Sequence, residues 1–573
     1  MTEGGQVGRV RSVLASWVAA RRTGRDRGTG RRAQTTLVLA VVVGSVTGLG
    51  VALFDRLVAT NGFDRVLRGP LWLQAVLPGV GLLAAALILR AVGRGSSTAT
   101  ADAYIQAYHD PEGSIDLRAV PGRLLASAAT LGSGGAMGFE GPSIYLGAAI
   151  GSWVQSRWSA PGTRRDGRLL MVCGAAAGVA AIFKAPATGM VFALEVPYRQ
   201  DLARRMLLPA MFAAAASYVV FVSINGTTPL FPIGGAPPLD LRDLGGAAAL
   251  GLLASVGARG AATLLRAAKA EATRRSPALR AGVVGVALIG IFVATRGLTG
   301  SSLSVGSGYN AITWALSPGH AVATVAAVFV LRLTATALAV GGGGVGGLFV
   351  PLVVQGALLG AFVGGIVHGP DITFFPVLGV AAFLGAGYRV PLAAVVFVAE
   401  TTGRPEFVVP GLIAAATSQL LMGSASVSPY QEGTRASLLQ RRLSLPLSTA
   451  LRTDAATVPS DASLVELFEH HIVQLRLRVV PVVDGNQFRG MVHLDDVVQI
   501  PRPEWETTTV GRLARDEGPT GEVSWSLGDA VRAMETADAD RLPVLDEGTF
   551  VGLVTMGELL KLDSILDSTE GIA

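Results

Sequence analysis

The sequence predicts a mainly α-helical, polytopic membrane protein made of two repeated helical halves with broken or re-entrant helices, followed by a C-terminal α/β region. Three observations support this fold class. Apolar runs dominate residues 35–430, two sets of motifs recur within them about 205 residues apart, and residues 447–573 have the composition of a soluble, mixed α/β segment.

The membrane prediction comes from composition. Half of the 573 residues are hydrophobic and only 15% are charged, whereas soluble domains carry roughly 25% charged residues. Several apolar runs approach the ~20 residues that a helix needs to cross the bilayer, and shorter ones predict tilted, broken or re-entrant helices. These runs include Thr36–Phe54, Leu71–Leu89, Leu244–Leu265, Ala281–Ala294 and Val322–Val340.

Charge and composition divide the chain into consecutive segments. A basic arm precedes the first apolar run, and such a charge next to a membrane span predicts a cytoplasmic N-terminus. No apolar core with a small-residue cleavage site resembles a signal peptide. We therefore expect a multi-pass protein of the plasma (inner) membrane with both termini in the cytoplasm. The segments are a basic arm (1–34), a first membrane half (35–266), a basic linker (267–280), a second membrane half (281–430), a linker (431–446) and two tail modules (447–503 and 504–573).

The two membrane halves share their motifs. Phe183-Lys184-Ala185-Pro186 is followed by Glu195, nine residues after its proline, and Tyr388-Arg389-Val390-Pro391 is followed by Glu400 in the same way. The offset between these motifs is 205 residues, and a second set recurs at 209 residues. Sequence alone leaves open whether the halves are parallel or inverted. The cations of the two motifs are expected to attract anions at the cytoplasmic mouth or to snorkel to the interface. In the second set, Pro142, Gly147 and Gly151 correspond to Pro351, Gly356 and Gly360.

The tail repeats as well. Arg478–Asp484 leads to Gly490–Asp496, and Arg541–Asp546 leads to Gly552–Glu558 about sixty residues later. Each unit predicts a strand, a turn, a second strand and a helix. The helices expected before the two units are Ser463–His470 and Ser526–Thr536.

Glycine-rich stretches at 93–97, 132–142 and 341–351 suggest an anion site. The last two end in a proline, which favours the first turn of a helix. A helix start inside the membrane presents free N–H groups and the positive end of the dipole, which bind an anion without a full positive charge. Helix packing alone is the alternative explanation of the glycines.

Glu140 favours a functional explanation, because a carboxylate at membrane depth is costly unless it is used. When ionised it would occupy the anion path as an anion mimic, and protonation would release it. Glu140 is therefore the candidate gate, responsive to both protons and chloride.

These motifs resemble the CLC family of chloride channels and proton/chloride antiporters. Residues 138–142 are similar to the gate motif of the family, residues 346–351 to its second anion-binding helix start, and Tyr430 to the tyrosine that closes its central anion site from inside. The tail repeats resemble a pair of CBS modules. The resemblance implies inverted halves and a homodimer with one pore in each subunit. It also implies anion binding by the backbone amides of Gly141, Gly347, Leu348 and Phe349 and by the Tyr430 hydroxyl.

Two departures from the family pattern matter. The pore serine of the family lies in a glycine-serine-glycine-isoleucine-proline motif, whereas residues 95–99 lack the proline, so Ser96 and Ser97 are both candidates and the chloride/nitrate preference stays open. Antiporters of the family have an inner glutamate directly after the position of Glu195, where this chain has Val196. Valine is typical of the channel branch, so a passive chloride channel is predicted, with antiport by a non-standard proton route through the Glu195 and Val196 positions as the alternative. A structural role for Glu195 at a helix end or dimer contact competes with proton transfer.

The CBS resemblance implies a possible adenine nucleotide site in the tail. The candidate residues are Asp496 in the first module and Thr555 and Glu558 in the second. Neither copy matches the ribose-binding pattern fully, so a dimer-stabilising domain with an empty cleft is the alternative.

Other functional classes fit the sequence less well. A divalent-cation transporter needs carboxylates or carbonyl rings at midspan, and the membrane halves have few acids. Fluoride export is an option within the same broad family. The six histidines form no catalytic or metal-binding constellation, so neither an enzyme nor a metal site nor a required cofactor is expected. The expected partners are chloride and other monovalent anions, protons, membrane lipid and a second copy of the chain, and no nucleic acid.

Overall fold

A computed structural model of the chain describes residues 34–110, 115–158, 168–231, 233, 240–272, 276–367, 372–433, 443–516 and 518–559. The chain divides into two compact units, residues 1–435 and 436–573, and each is described by itself. Apart from residue 34, the basic N-terminal arm lies outside the described residues.

The first unit is built from helices, because a chain inside a bilayer has to satisfy its backbone hydrogen bonds within each segment. Its first helix, α1, spans Gln34–Arg68 and contains a π-helical stretch at Arg56–Phe63. The helices that follow are α2 Leu71–Ala91, α3 Ala101–His109, α4 Val120–Gly132, α5 Glu140–Trp158, α6 Leu169–Phe183, α7 Pro186–Glu195, α8 Leu207–Asn225, α9 Leu241–Glu271, α10 Pro277–Thr299, α11 Tyr309–Ala315, α12 Val322–Gly341, α13 Phe349–Val367, α14 Phe374–Gly387, α15 Pro391–Thr402 and α16 Val408–Thr417.

Within the described residues, seven of these helices are long and apolar enough to cross a membrane, namely α1, α2, α8, α9, α10, α12 and α13. Other apolar helices, among them α6, α14 and α15, are shorter than a full span. Every residue of α14 is buried, so protein rather than lipid covers it. The mixture of long and short helices confirms the expected polytopic architecture with broken or re-entrant helices.

The two halves pack in the same way at the positions that the sequence repeat pairs. In the first half, a Cβ atom on Gly147 in α5 would lie 2.0 Å from the carbonyl oxygen of Gly174 in α6. In the second half, a Cβ atom on Gly356 in α13 would lie 2.3 Å from the carbonyl oxygen of Gly379 in α14. Only glycine permits backbones to approach this closely, so Gly147 and Gly356 have the same packing role.

The halves are inverted relative to one another. Helices α7 and α15, which carry the repeated motifs, run antiparallel, because Glu195 at the end of α7 accepts a hydrogen bond from Ala393 N in the first turn of α15, and a reverse contact joins the end of α15 to the start of α7. The motif cations Lys184 and Arg389 directly precede the two helix starts. The expectation that both cations lie at the cytoplasmic mouth is therefore wrong, since antiparallel helices begin at opposite ends.

The basic segment expected as a linker at 267–280 is partly helical. Helix α9 continues to Glu271, and α10 begins at Pro277. Within the extension of α9, Lys269 Nζ lies 2.5 Å from Asp102 Oδ2 and donates to the Val427 carbonyl at 2.9 Å. This lysine belongs to a largely buried ion pair and is not only part of a basic surface.

The second unit contains a five-stranded sheet in the order β1-β2-β5-β4-β3. Two antiparallel hairpins have equivalent registers, with Val480 opposite Val492 in one and Leu542 opposite Val554 in the other. The edge strand β3 pairs parallel to β4. The strands are β1 Val479–Asp484, β2 Gln487–His493, β3 Gly521–Glu522, β4 Arg541–Asp546 and β5 Thr549–Thr555.

Each hairpin of the tail has its own hydrophobic core, in which a preceding helix takes part. The first is α17, Leu464–Glu466, which continues as a π-helical stretch at Leu467–Gln474. A short helix α18, Leu494–Val498, follows β2, and α19, Leu527–Thr536, precedes β4. Ser463 and Ser526 cap α17 and α19 with their side chains. The predicted pair of α/β modules is confirmed.

Candidate anion site

The site lies where α5 and α13 begin. Gly138 and Gly347 form an isolated antiparallel bridge just before the two helices, with N···O distances of 2.9 and 2.7 Å. Pro142 and Pro351 lie in the first turns, where a missing N–H leaves no helical bond unmade. Two helix N-termini, each with free N–H groups and the positive end of its dipole, therefore meet at one point.

Glu140 occupies this meeting point. It is the first residue of α5 and only 1% exposed. Its Oε1 accepts a hydrogen bond of 2.6 Å from the N–H of Phe349, the first residue of α13. Its Oε2 has no hydrogen-bond partner among the described residues. The carboxylate therefore lies at the start of α13, where free N–H groups and the positive end of the helix dipole favour a negative charge.

Glycines leave room for this carboxylate. A Cβ atom on Gly138 would lie 1.9 Å from Glu140 Oε2, and one on Gly347 would lie 1.9 Å from Glu140 Oε1. These two glycines are therefore required by the docked carboxylate, and helix packing alone does not account for them.

A hydroxyl that the sequence analysis missed lies beside the same helix starts. Thr100 is 2% exposed, and its Oγ1 donates to the carbonyl of Gly346 at 3.2 Å. A Cβ atom on Gly141 would lie 2.4 Å from this oxygen. Because Thr100 directly precedes α3, a third helix start joins those of α5 and α13. A polar residue immediately before a short helix was the signal available in the sequence.

The two predicted pore serines lie elsewhere on the same loop. The Oγ of Ser97 accepts a hydrogen bond from Arg123 Nη2 at 3.2 Å. The Oγ of Ser96 is buried, with no partner among the residues that the structure describes. Among the described residues, neither hydroxyl forms a hydrogen bond with the starts of α5 or α13, whereas that of Thr100 does, so the place of the two serines in the site stays a prediction.

The other predicted anion-binding residues differ in their surroundings. Gly141, Gly347, Leu348 and Phe349 all belong to the two helix starts, and the N–H of Gly347 is already bonded to Gly138. The Tyr430 side chain is 44% exposed, whereas the site itself is buried, and its backbone N–H donates to Ser428 Oγ at 3.4 Å.

A cavity of about 240 Å³ adjoins Phe139, the residue directly before Glu140. Its lining also includes Lys184, Asp55 and Tyr309. Lys184 Nζ is held by the carbonyl oxygens of Asn225 and Thr228 at 3.4 and 3.3 Å. The cavity beside the gate is therefore lined by one lysine and two carboxylates, Asp55 and Asp64.

The candidate proton-pathway residues lie at the end of α7. Glu195 is 5% exposed, and its two oxygens accept hydrogen bonds from Leu392 N at 3.2 Å and Ala393 N at 2.9 Å. The carbonyl of Val196 accepts from Gln431 Nε2 at 2.7 Å. Both oxygens of Glu195 thus cap α15, which is the arrangement expected of a structural residue at a helix end.

The candidate nucleotide residues of the tail are paired within the chain. Asp496 forms an ion pair with Arg515. Glu558 accepts from Thr555 Oγ1 at 2.8 Å and lies 3.4 Å from Arg452 Nη1. In both modules a guanidinium therefore covers the acidic side chain that was expected to take a ribose.

Comparison with known proteins agrees with the fold and the motifs. Residues 80–423 match the family described as voltage gated chloride channel, and residues 447–502 and 519–564 match the CBS domain. The chain is 28% identical over 364 residues to a ClcB-like chloride channel protein of Ralstonia nicotianae, across 61% of this chain and 82% of that protein. It is 27% identical over 314 residues to the H(+)/Cl(-) exchange transporter ClcA of Salmonella paratyphi A, across 53% of this chain and 66% of the exchanger.

Among solved structures, that of a slow cyanobacterial Cl-/H+ antiporter is similar, with a TM-score of 0.61 and 22% sequence identity. The superposition covers 68% of this chain and 94% of the antiporter. At this level of identity the similarity concerns the fold alone.

Proposed function

The chain belongs to the voltage-gated chloride channel family and has two CBS domains at its C-terminal end, and on that premise we propose that it carries chloride across a membrane past a gate formed by Glu140. The observation that carries this proposal is the contact between Glu140 Oε1 and Phe349 N–H. A carboxylate held there competes with chloride for the same donor. Protonation neutralises the carboxylate. The neutral side chain is no longer held more favourably at this N–H group than in solvent, so the gate leaves the site.

We propose passive conduction as the form of this transport. The residue after Glu195 is Val196, which has no group to take up a proton. Glu195 itself is engaged by two backbone N–H groups of α15. At the end of α7, a proton leaving Glu140 therefore meets a valine and a carboxylate that two backbone N–H groups already engage.

The reversal potential of the purified protein in liposomes tests this proposal. With a chloride gradient alone, the potential is expected to follow chloride, and an added pH gradient is expected to leave it unchanged. A shift with pH would replace passive conduction by proton-coupled exchange. An absence of any chloride-dependent potential in liposomes that contain folded protein would refute chloride transport itself.

Proton/chloride exchange is the second candidate, and one pair of side chains favours it. His109 Nδ1 lies 3.4 Å from Glu432 Oε1, and its Nε2 donates to the carbonyl of Pro197, next to Val196, at 2.7 Å. The His109 side chain is 14% exposed, so protons reach it from solvent. Because an imidazole can both accept and donate a proton, this pair is the candidate for proton loading where the inner glutamate is missing.

A double variant separates the two forms of transport. If the chain exchanges protons through this pair, His109→Asn with Glu432→Gln abolishes the response of the reversal potential to pH while chloride flux continues. If the wild type already ignores the pH gradient, the variant leaves the potential unchanged and passive conduction stands.

We also propose a homodimer in the plasma membrane with both termini in the cytoplasm. Helix α8 exposes apolar side chains that a second copy or lipid can cover, including Leu208, Met211 and Phe212. The native cysteine, Cys173, is buried, so Met211→Cys introduces a single accessible thiol. Crosslinking of this variant in membranes supports the dimer, and monomers at all protein densities would contradict it.

A further inference from the structure

Arg332 is a buried cation in the second membrane half. It lies in α12 and is 1% exposed. Among the residues that the structure describes, its guanidinium forms no ion pair with a carboxylate. Its hydrogen bonds go instead to two main-chain carbonyl groups, with Nη2 donating to Gly306 O at 2.5 Å and Nη1 to Leu303 O at 3.4 Å. Because a charged side chain at membrane depth is costly, it calls for a functional explanation.

The two carbonyl groups belong to a tight loop, residues 303–308, between α10 and α11. Gly306 and Gly308 have φ angles of +71° and +108°, which favour glycine. A Cβ atom on Gly306 would lie 2.0 Å from Phe63 Cζ, and one on Gly308 would lie 2.5 Å from Val354 Cγ2. The loop is therefore pressed between α1 and α13, and one planar guanidinium fixes two of its carbonyl groups.

This loop is bonded to the chain that leads into the gate. The N–H of Gly306 donates to the carbonyl of Gly134 at 2.8 Å. Gly134 belongs to the gate segment, residues 133–139, which joins α4 to α5 and ends directly before Glu140. Gly306 is thus bonded to Arg332 through its carbonyl and to the gate segment through its N–H group. The 303–308 loop also forms part of the wall of the cavity beside the gate.

The second membrane half holds the equivalent turn with another arginine. Gly343 corresponds to Gly134 at the repeat offset of 209 residues, and the two have φ angles of +86° and +96°. Arg280 Nε donates to Gly342 O at 3.1 Å, and a Cβ atom on Gly343 would lie 2.4 Å from Arg280 Nη2. An arginine therefore supports each of the two turns that lead into α5 and α13, directly in the second half and through Gly306 in the first.

We infer that Arg332 is a positioning residue for the gate, which holds the gate segment where the Glu140 carboxylate meets Phe349 N–H. This inference rests on the proposed function, in which Glu140 is the gate. Arg332 acts through Gly306 and Gly134, so its effect reaches the carboxylate by way of the backbone. The docked geometry of the gate thus depends on a residue 192 positions away in the sequence.

The contacts also give the direction of the effect. Without the guanidinium, the 303–308 loop holds the gate segment less tightly, and the docked carboxylate becomes less favourable relative to the released one. Loss of the positive charge acts in the same direction, because it makes the ionised form of Glu140 less favourable. A variant that lacks the guanidinium should therefore release the gate at a higher pH. The ionisable side chains around the gate that all variants retain are Asp55, Asp64, Lys184 and Tyr309 in the cavity, and Asp102 and His109 on α3, which packs on α5.

Arg332→Gln tests the inference, with Arg266→Gln, which removes an exposed guanidinium from α9, as the matched control. Chloride efflux from liposomes is measured over a range of external pH. Arg332→Gln is expected to raise the pH of half-maximal flux by about half a unit to one unit, the effect of one ordinary hydrogen bond. Arg266→Gln is expected to leave it unchanged.

A double variant separates positioning of the gate from a merely structural role. In a Glu140→Gln background no carboxylate has to be placed, so adding Arg332→Gln should not change the flux further. An equal change of flux in both backgrounds would overturn the inference, as would an unchanged pH of half-maximal flux in a folded Arg332→Gln protein.

Two further outcomes are distinguishable from these. A wild-type protein that carries no chloride, or a Glu140→Gln variant with the full pH response, refutes the proposed function and not only the role of Arg332. If Arg332→Gln does not fold, Arg332→Lys keeps the charge but lacks the planar fork that bridges two carbonyl groups. It is then expected to raise the pH of half-maximal flux by less, and an unchanged value in the folded variant would also overturn the inference.

Discussion

Glu195 and Glu400 each cap the helix that carries the other. Glu195, the last residue of α7, accepts hydrogen bonds from the first N–H groups of α15 at 3.2 and 2.9 Å. Glu400, near the end of α15, accepts from Ala187 N at 2.9 Å and from Thr188 N at 2.7 Å in the first turn of α7. The sequence repeat is therefore also a reciprocal contact, which only two antiparallel helices can make. It gives both glutamates a structural role that is independent of proton transfer.

The first prediction concerns the gate. Glu140→Gln removes the charge that competes with chloride at Phe349 N–H, so flux should lose its dependence on external pH while chloride conduction continues. Chloride efflux from liposomes over a range of external pH checks this. A Glu140→Gln variant with the full pH response of the wild type would show that another group is the gate.

The second prediction tests the docking of the carboxylate without altering it. The atoms nearest to a Cβ on Gly138 all belong to the Glu140 carboxyl group, at 1.9 to 2.7 Å. Gly138→Ala should therefore push this side chain out of the site and give pH-independent flux like that of Glu140→Gln. Gly290→Ala is the control, because nothing lies within 4 Å of a Cβ there. Wild-type gating in a folded Gly138→Ala protein would argue against the docked state.

The third prediction concerns the reciprocal caps. Glu195→Ala leaves the N–H groups of Leu392 and Ala393 without their acceptors, and an unsatisfied group that is buried, as that of Ala393 is, costs about 1–3 kcal/mol. The variant should unfold at a lower temperature than the wild type in the same detergent, and Glu195→Gln, which keeps one acceptor oxygen, should lose less. Glu195→Gln should also leave the reversal potential unchanged under a pH gradient. A changed potential with unchanged stability would instead make Glu195 a proton carrier.

The fourth prediction concerns nucleotides. Since Arg515 and Arg452 cover Asp496 and Glu558, AMP, ADP and ATP are expected to give no thermal stabilisation of the full-length protein. A ligand that binds the folded state would raise the melting temperature progressively with its concentration. Such a rise with any of the three nucleotides would show that the arginines move aside and that the tail binds it.

The fifth prediction is a pH dependence in the tail. Hydrogen bonds from the Ser526 hydroxyl and N–H, at 2.6 and 3.0 Å, hold the pKa of Asp529 below its ordinary value of 3.8. Folding therefore favours the ionised carboxylate, and its stabilising effect is complete above about pH 4 and lost as the pH falls through the lowered pKa of the folded state.

Hydrogen exchange of the α19 amides, corrected for the intrinsic rate at each pH, checks this effect. Asp529→Asn should reduce their protection at pH 7, and the difference from the wild type should shrink below about pH 4. An equal difference at all pH values would mean that the Asp529 charge does not stabilise the cap.

Patterns within short sequence segments were sufficient to predict those structural features whose physical cause lies within the same segment. The glycine and proline signals placed the starts of α5 and α13 within a few residues, because both residues act on the backbone where they stand. The paired β-hairpins of the tail followed in the same way from short apolar runs and the turn residues between them. Thr100 and the His109–Glu432 pair were not recognised as site residues, because each depends on a partner far away in the sequence, as the contacts of Thr100 with Gly346 and of His109 with Glu432 show.

By itself, the sequence determined that the chain is a membrane protein of two repeated halves with helix starts suited to an anion and a carboxylate at one of them. Apolar length, charge and backbone conformation are properties of short segments, so they can be predicted from short segments. Only the tertiary structure decided that the halves are inverted, that Lys184 and Arg389 precede opposite ends of a helix pair, and that Glu140 docks on Phe349, 209 residues away. Those facts depend on the relative direction in which the helices pack. The two copies of a motif have the same sequence whether they pack parallel or antiparallel, so the sequence does not reveal the direction.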